Sequence, residues 1–102
     1  MVLDRRRDRS AGYLLTKHAA DQLITRDIGI AEVEQALLGE AELIEDYPQD
    51  KYGPSCLILG YTSAGRALHV QCACSDPTVV KIVTVYEPDP ARWTDMRIRR
   101  RE

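Results

Sequence analysis

The sequence predicts an α+β domain in which an N-terminal helix hairpin packs on a four-stranded antiparallel sheet, in the order ααββββ. Apolar residues recur at helical spacing up to Leu38, and from Glu40 onward the apolar period changes to two. The turns between the later segments are short, which favours antiparallel neighbours. The stretch 78–88 is rich in valine, isoleucine and threonine and ends at Pro88, so it predicts the central strand.

The length of 102 residues predicts a single domain, and charge divides the chain into three parts. Residues 1–9 contain four arginines and two aspartates, and residues 92–102 contain five arginines, one aspartate and one glutamate. Between them, residues 10–91 contain five basic and twelve acidic residues, a net charge of −7. We expect basic tails at 1–12 and 97–102 and a folded domain at 13–96. The acidic body disfavours nucleic-acid binding by the core itself, whereas basic tails attract phosphate.

Helix 1 is predicted from Thr16 to Arg26, with Thr16 as the capping residue. Its apolar stripe is bordered by a polar row of His18, Gln22 and Arg26, because residues four apart lie on one side of a helix. Helix 2 is predicted over 30–38, where Glu32 can bond back to the start of the helix and Gly39 can end it.

The strands are predicted over 41–47, 56–62, 66–74 and 78–88. Alternation in the third strand directs one set of side chains to one face (Leu68, Val70, Cys72 and Cys74) and the other set to the opposite face (His69 and Gln71). The same argument places Thr84 and Tyr86 on one face with Val80 and Ile82. Residues 88–93 predict a short helical turn that returns Trp93 to the core.

Composition excludes several classes of protein. No apolar run reaches the roughly 20 residues of a membrane span, and the N-terminus lacks the apolar segment of a secretory signal. Three cysteines without an export signal are typical of reduced thiols, so we expect a cytoplasmic protein that does not contact membranes. Cys56, Cys72 and Cys74 are better explained as small buried apolar residues than as metal ligands, and no cofactor is expected.

Six polar residues are candidates for chemistry, each with a purely structural alternative. His69 could be a general acid or base, or a buried histidine bonded to a neighbour. His18 could belong to a polar row that points across to the sheet, with Arg26 ready to bind an anion, or the row could be a solvated helix edge. Tyr47, Tyr86 and Thr84 could supply hydroxyl groups, although strand tyrosines more often serve packing.

Segments in one consistent order make the chain resemble the bacterial DUF4258 family. They are Leu15-Thr-Lys-His18-Ala19, Arg26-Asp-Ile28, Glu45-Asp-Tyr47-Pro48, Pro54-Ser-Cys-Leu-Ile-Leu-Gly60, Leu68-His69-Val70, and Ile82-Val-Thr84-Val-Tyr86-Glu-Pro88 with Trp93. The resemblance covers about residues 14–97. The marked polar positions of the family fall on His18, Arg26, Tyr47, His69, Thr84 and Tyr86. The chain departs from the family where it has Gln22, often an arginine, and Asp27, often a glycine.

DUF4258 proteins are similar to small toxins of the RelE type, whose fold is a helix pair on an antiparallel sheet. The resemblance therefore implies the toxin of a toxin–antitoxin system, acting as a metal-independent endoribonuclease on mRNA or at the ribosome. It also implies a zinc-finger or helix-turn-helix antitoxin as partner. The acidic body supports an alternative, a non-catalytic module that binds a basic protein or forms a homodimer.

Overall fold

The computed structural model describes residues 13–49, 53–73 and 80–100 and contains two helices and two sheets. In chain order the elements are β1 (Tyr13–Leu15), α1 (Lys17–Thr25), α2 (Ile30–Leu38), β2 (Glu42–Tyr47), β3 (Ser55–Tyr61), β4 (Ala67–Ala73), β5 (Val80–Tyr86), β6 (Trp93–Thr94) and β7 (Ile98–Arg99). The main sheet has the order β1-β5-β4-β3-β2, and β6 and β7 form a separate hairpin.

The α+β class, the helix pair and the antiparallel run from β2 to β5 agree with the sequence prediction, but the sheet has five strands. The additional strand β1 pairs in parallel with β5, so the predicted all-antiparallel ααββββ arrangement is wrong at this edge. Three residues are too few to show a period of two, and Leu15 fits the apolar stripe of α1 equally well. The middle strand of the five is β4, so the prediction that 78–88 is the central strand is wrong, although β1 makes β5 an internal strand.

An irregularity in the pairing of β4 with β5 changes which side chains of β5 share a face. Val70 is opposite Val85, but Cys72 is opposite Ile82, so β5 contains one extra residue between them. A bulge of this kind reverses the alternation beyond it. Thr84 and Tyr86 consequently lie on the face opposite Val80 and Ile82, and the predicted shared face is wrong. The predicted opposition of Val70 and Cys72 to His69 is confirmed, while Cys74 lies outside the described residues.

The helix pair covers the apolar face of the sheet. Ala19 of α1 and Val33, Ala36 and Leu37 of α2 are buried against residues of β4 and β5. Thr16 caps α1 as predicted, because its Oγ1 accepts from the Ala19 N–H at 3.0 Å. At α2, the Glu32 carboxylate accepts from the Gly29 N–H at 2.9 Å. Neither described helix is long and apolar enough to span a membrane.

Gln22 of α1 closes the edge of β5 where β1 ends. Its side chain is buried, and its Oε1 accepts from the Val85 N–H at 2.8 Å. Three residues earlier in β5, the Ile82 carbonyl accepts from the Thr16 N–H at 3.0 Å. In the predicted polar row, Gln22 is therefore buried and bonded to β5, whereas His18 and Arg26 on either side of it are exposed.

The β6–β7 hairpin covers the second face of the sheet, where a basic tail was expected from residue 97. Trp93 is buried, so its predicted return to the core is confirmed, but Ile98–Arg99 is a strand. Arg97 Nε bonds to Glu42 at 3.0 Å, and Arg99 bonds to Glu45 at 2.9 Å. Glu42 and Glu45 of β2 thus form ion pairs with arginines of the segment that composition alone predicts to be a solvated tail.

Gly60 sets the distance between β3 and α2, and its replacement tests this packing. A Cβ atom added at Gly60 would lie 2.7 Å from the carbonyl carbon of Ala36 and 2.8 Å from the Cβ atom of Ala36. Because a helix backbone cannot yield as a flexible side chain does, we expect Gly60→Ala to reduce the free energy of unfolding by about 3 kcal/mol. Gly29→Ala, whose Cβ would meet only Glu32 Oε1 at 3.8 Å, is the control. Denaturant unfolding measures both, and an equal effect of the two substitutions would contradict the packing argument.

Candidate functional site

His69 and Tyr86 face one another across β4 and β5, on the face opposite the helices. They are direct partners in the strand register, and His69 Nδ1 lies 3.2 Å from the Tyr86 hydroxyl oxygen. The rings meet edge to face with centroids 5.2 Å apart. His69 is 0% exposed, so only Tyr86 extends from this pair towards solvent. The bulge in β5 creates the pair, since regular alternation would direct Tyr86 into the helix side.

The second ring nitrogen of His69 determines its tautomer. Nε2 lies 2.7 Å from the Met96 carbonyl oxygen, which can only accept, so Nε2 carries a hydrogen. Burial lowers the pKa of His69, against the opposing effects of the Met96 carbonyl and the Glu45 charge. The ring is therefore neutral at neutral pH, and Nδ1 is unprotonated. It follows that Nδ1 accepts from the Tyr86 O–H, whose pKa burial raises.

The turn of the β6–β7 hairpin places the Met96 carbonyl against His69. Asp95 has φ 53° and Met96 has φ 62°, both in the left-handed region that methionine seldom adopts. Three residues, 95–97, join the two strands, and Asp95 and Met96 are the central pair of a tight turn that is closed by the Arg97 N–H donating to the Thr94 carbonyl at 3.0 Å. This backbone conformation directs the Met96 carbonyl towards His69, and the hydrogen bond between them fixes the orientation of the imidazole.

Aromatic and charged side chains lie on the other side of the His69 ring. The Trp93 ring meets His69 edge to face, with centroids 4.5 Å apart, and the Arg99 guanidinium lies 4.6 Å from the Trp93 centroid. Arg99 bonds to Glu45 at 2.9 Å and to the Tyr47 hydroxyl at 3.4 Å. Tyr47 also donates to Glu45. Burial and Glu45 raise the pKa of Tyr47 to about 12, so Tyr47 remains a neutral donor.

A cleft of about 790 Å³ opens beside Tyr86. Its wall is rich in arginine and comprises Arg26, Tyr86, Glu87, Asp89, Ala91, Arg92, Trp93, Arg99 and Arg100. Within the described part of the chain, the guanidinium groups of Arg26 and Arg92 make no ion pair. Unpaired guanidinium groups beside a tyrosine hydroxyl favour an anionic ligand over a cationic or apolar one.

Arg66, at the start of β4, fixes two parts of this cleft wall. Its guanidinium donates to the Arg26 carbonyl at 3.2 Å and the Asp27 carbonyl at 3.0 Å, at the end of α1. It also pairs with Glu32 and Glu87, both at 2.9 Å. Glu87 is thereby bound away from Arg26, and the turn that carries Arg26 is held against the end of β5.

The comparisons with known proteins identify the chain only at the level of a family. A family model described as "Domain of unknown function (DUF4258)" matches residues 15–87. The chain belongs to the DUF4258 family. No curated protein and no solved structure matches it. The match ends at Glu87, so the β6–β7 hairpin lies beyond it.

The DUF4258 positions predicted from the sequence do not form one cluster. His69 and Tyr86 are bonded, and Arg26 joins Tyr86 in the cleft wall. Tyr47 lies beyond His69 and is connected through Arg99, while Thr84 is half-buried opposite Gln71. His18 is exposed on α1 and does not line the cleft, so the two histidines do not meet there.

Sequence reasoning missed the contributions of the C-terminal segment to the site. Arg92, Arg99 and Arg100 line the cleft, Trp93 packs on His69, and Met96 supplies the acceptor. A run with five arginines resembles a solvated tail, and two strands of two residues are too short for a periodic signal. Asp95 was the single available indication, because aspartate tolerates the left-handed region in turns. In the described part of the chain, no group of histidine, cysteine or acidic residues could hold a metal ion.

The buried neutral state of His69 predicts how stability depends on pH. Its folded pKa lies below the ordinary 6.5, so the unfolded chain binds a proton that the folded chain excludes as the pH falls. The contribution is fully present above the unfolded pKa and is lost below it. We expect the free energy of unfolding of the wild type to fall more steeply than that of His69→Gln between about pH 7 and about pH 5. Urea unfolding across this range measures both slopes.

The exposed His18 provides the matched control for this measurement. Because the chain has two histidines, each single variant leaves the other imidazole in place. His18→Gln should retain the steep slope of the wild type. If the wild type and His69→Gln have equal slopes, His69 is not held in its neutral form.

Proposed function

We propose that this DUF4258 protein is a metal-independent endoribonuclease and the toxin of a toxin–antitoxin system. One observation carries the proposal: the Tyr86 hydroxyl, bonded to a neutral His69, lies in the wall of a cleft that also contains unpaired arginines. Cleavage of RNA requires a base for the 2′-hydroxyl and a cation for the phosphate. The site contains both kinds of group.

The tautomer of His69 defines the direction of proton transfer. As the 2′-oxygen attacks the adjacent phosphorus, its proton passes to the Tyr86 oxygen, and the proton of Tyr86 passes to His69 Nδ1. The resulting imidazolium is stabilised by the Met96 carbonyl at Nε2 and by the nearby charge of Glu45. The bond from phosphorus to the 5′-oxygen breaks, and the leaving oxygen takes a proton from water. The hydroxide that remains takes up the proton that the imidazolium returns through Tyr86. The products are a 2′,3′-cyclic phosphate and a free 5′-hydroxyl.

Arg26 is the proposed cation for the phosphate in this reaction. Its side chain lines the cleft with Tyr86. Burial raises the pKa of the Tyr86 hydroxyl, and the positive charge of Arg26 offsets part of this increase. A guanidinium group can contact two phosphate oxygens at once and stabilise the charge that accumulates on them. Tyr47 and Arg99 act indirectly in this scheme, by holding the hairpin against His69.

The toxin assignment extends the RelE-type resemblance expected from the sequence, which is itself part of this proposal; the helix pair packed against a mainly antiparallel sheet supports it. In this proposal the substrate is mRNA, free or on the ribosome. A zinc-finger or helix-turn-helix antitoxin is the proposed partner. The acidic body, with its net charge of −7 over residues 10–91, suits a basic protein partner.

A non-catalytic role is the second candidate, and two observations favour it. His69 is fully buried beneath the hairpin and cannot touch a substrate directly. Apolar side chains are also exposed on the helices and on the β2 edge, with Ile24 at 81% and Leu43 at 60%. Such a surface could bind a partner or a second copy of the chain. This candidate predicts that Tyr86 and His69 are dispensable for the effect of the protein in cells.

Removal of one hydroxyl group tests the nuclease proposal. Tyr86→Phe retains the ring but cannot accept or transfer the proton, so we expect the cleavage rate to fall about 100-fold or more. Tyr61→Phe is the matched control, because Tyr61 is 41% exposed and does not line the cleft. Cleavage is measured on purified RNA and on translating ribosomes in the presence of a metal chelator, by the appearance of 2′,3′-cyclic phosphate ends.

Two outcomes would refute the proposed activity. One is intact RNA in both assays together with normal growth of cells that express the wild type. The other is equal cleavage by Tyr86→Phe and Tyr61→Phe, which would separate any activity from the Tyr86–His69 pair.

A further inference from the structure

Arg92 and Arg100 form a pair of cations at the cleft, in the segment beyond the DUF4258 match. The Arg100 N–H donates to the Arg92 carbonyl at 2.8 Å, which continues the pairing of the β6–β7 hairpin by one residue on each side. Both side chains line the cleft. The backbone bond therefore places the two arginines opposite one another at the end of the hairpin, and both bring positive charge to one cleft.

Neither guanidinium forms an ion pair with a carboxylate within the described residues, and Glu87 of the cleft wall is paired with Arg66. Arg100 Nε donates to the Pro90 carbonyl at 2.9 Å, and the Arg92 guanidinium makes no described bond. Asp89 lines the same cleft, but its Oδ1 accepts from the Ala91 N–H. The other two hairpin arginines differ, because Arg97 and Arg99 are paired with Glu42 and Glu45. Arg99 also lines the cleft, but its charge is paired with Glu45, so Arg92 and Arg100 are the arginines of this segment that lie at the cleft without a carboxylate partner among the described residues.

We propose that Arg92 and Arg100 form a second phosphate subsite, which binds the phosphate next to the one held by Arg26 and Tyr86. The inference rests on the proposed function, because it takes RNA as the ligand. The cleft volume of about 790 Å³ is in the range of roughly 300–1,000 Å³ that encloses ligands of drug size, so it accommodates a short single-stranded segment. The substrate class is single-stranded RNA with at least two consecutive phosphates at the cleft.

Binding of RNA that cannot be cleaved tests the subsite separately from the chemistry. The probes are a 2′-O-methyl dinucleotide with one internal phosphate and the same dinucleotide with an added 5′- or 3′-phosphate. With the full 102-residue chain, we expect one of the added phosphates to increase affinity roughly three- to tenfold. Arg92→Gln should abolish this gain. Arg97→Gln, which removes the same charge from an arginine paired with Glu42, should retain it.

Salt dependence provides a second measurement on a longer 2′-O-methyl strand. Each lost phosphate contact should reduce the slope of log affinity against log salt by about 0.7 for a single strand. We expect this reduction in Arg92→Gln and in Arg100→Gln but not in Arg97→Gln. Thermal unfolding of the three variants verifies that each is folded, and Arg100→Gln allows the test to proceed if Arg92→Gln is not.

The possible outcomes distinguish failure of the subsite from failure of the nuclease. Equal binding by Arg92→Gln, Arg100→Gln and Arg97→Gln overturns the subsite, even if ordinary RNA is cleaved. A specific loss of the added-phosphate gain in Arg92→Gln supports the subsite, even if ordinary RNA remains intact and the proposed chemistry fails. Absence of any binding to the probes overturns the subsite together with the proposed ligand.

Discussion

The extra residue in β5 is the constraint on which the site depends. It keeps Val85 in the apolar core while it turns Thr84 and Tyr86 to the opposite face, where Tyr86 meets His69. A regular strand would place Tyr86 under the helices and leave His69 without its hydroxyl partner. The same irregularity lies where β1 ends, so Gln22 can bond to the backbone of β5 in place of a neighbouring strand. One extra residue in β5 therefore places the core residue Val85 and the site residue Tyr86 on opposite faces of the sheet.

The two faces of the sheet are covered by different means. On one face, two helices bury valine, leucine and alanine, and stability comes mainly from removal of apolar surface from water. On the other face, a hairpin of two-residue strands is held by Trp93, by two arginine–glutamate pairs and by the His69–Met96 bond. Ion pairs that remain partly exposed are weak, so burial of Trp93 has to supply much of this attachment.

The sequence predicted the elements whose pattern spans several turns or several strand residues. Both helices, the four antiparallel strands, the Thr16 cap and the two faces of β4 followed from periodicity and capping. Strand β1 and the hairpin strands were missed because two or three residues show no period. The bulge was missed because alternation contains no signal for an inserted residue when Val83 and Val85 are equally apolar. Arg26, His69 and Tyr86 were found through family positions, whereas the cleft arginines were hidden in a basic end.

Gln22 and Asp27, where the sequence resemblance implies an arginine and a glycine, each have a physical role in this fold. Asp27 has φ 54°, a conformation that a glycine adopts without cost and that aspartate tolerates. Gln22 accepts a backbone N–H, which an arginine side chain cannot do because it has no acceptor. The α1 row therefore has a single cation, Arg26, while Arg92 and Arg100 bring further positive charge to the cleft from another segment.

The position of the hairpin in the chain has a consequence for protein synthesis. Residues 13–86, which form the whole main sheet, are made before the residues that cover His69. Until residues 96–100 have been made, the imidazole lacks the Met96 carbonyl that selects its tautomer, and the cleft lacks Arg99 and Arg100. A chain without these residues therefore carries an unfinished site.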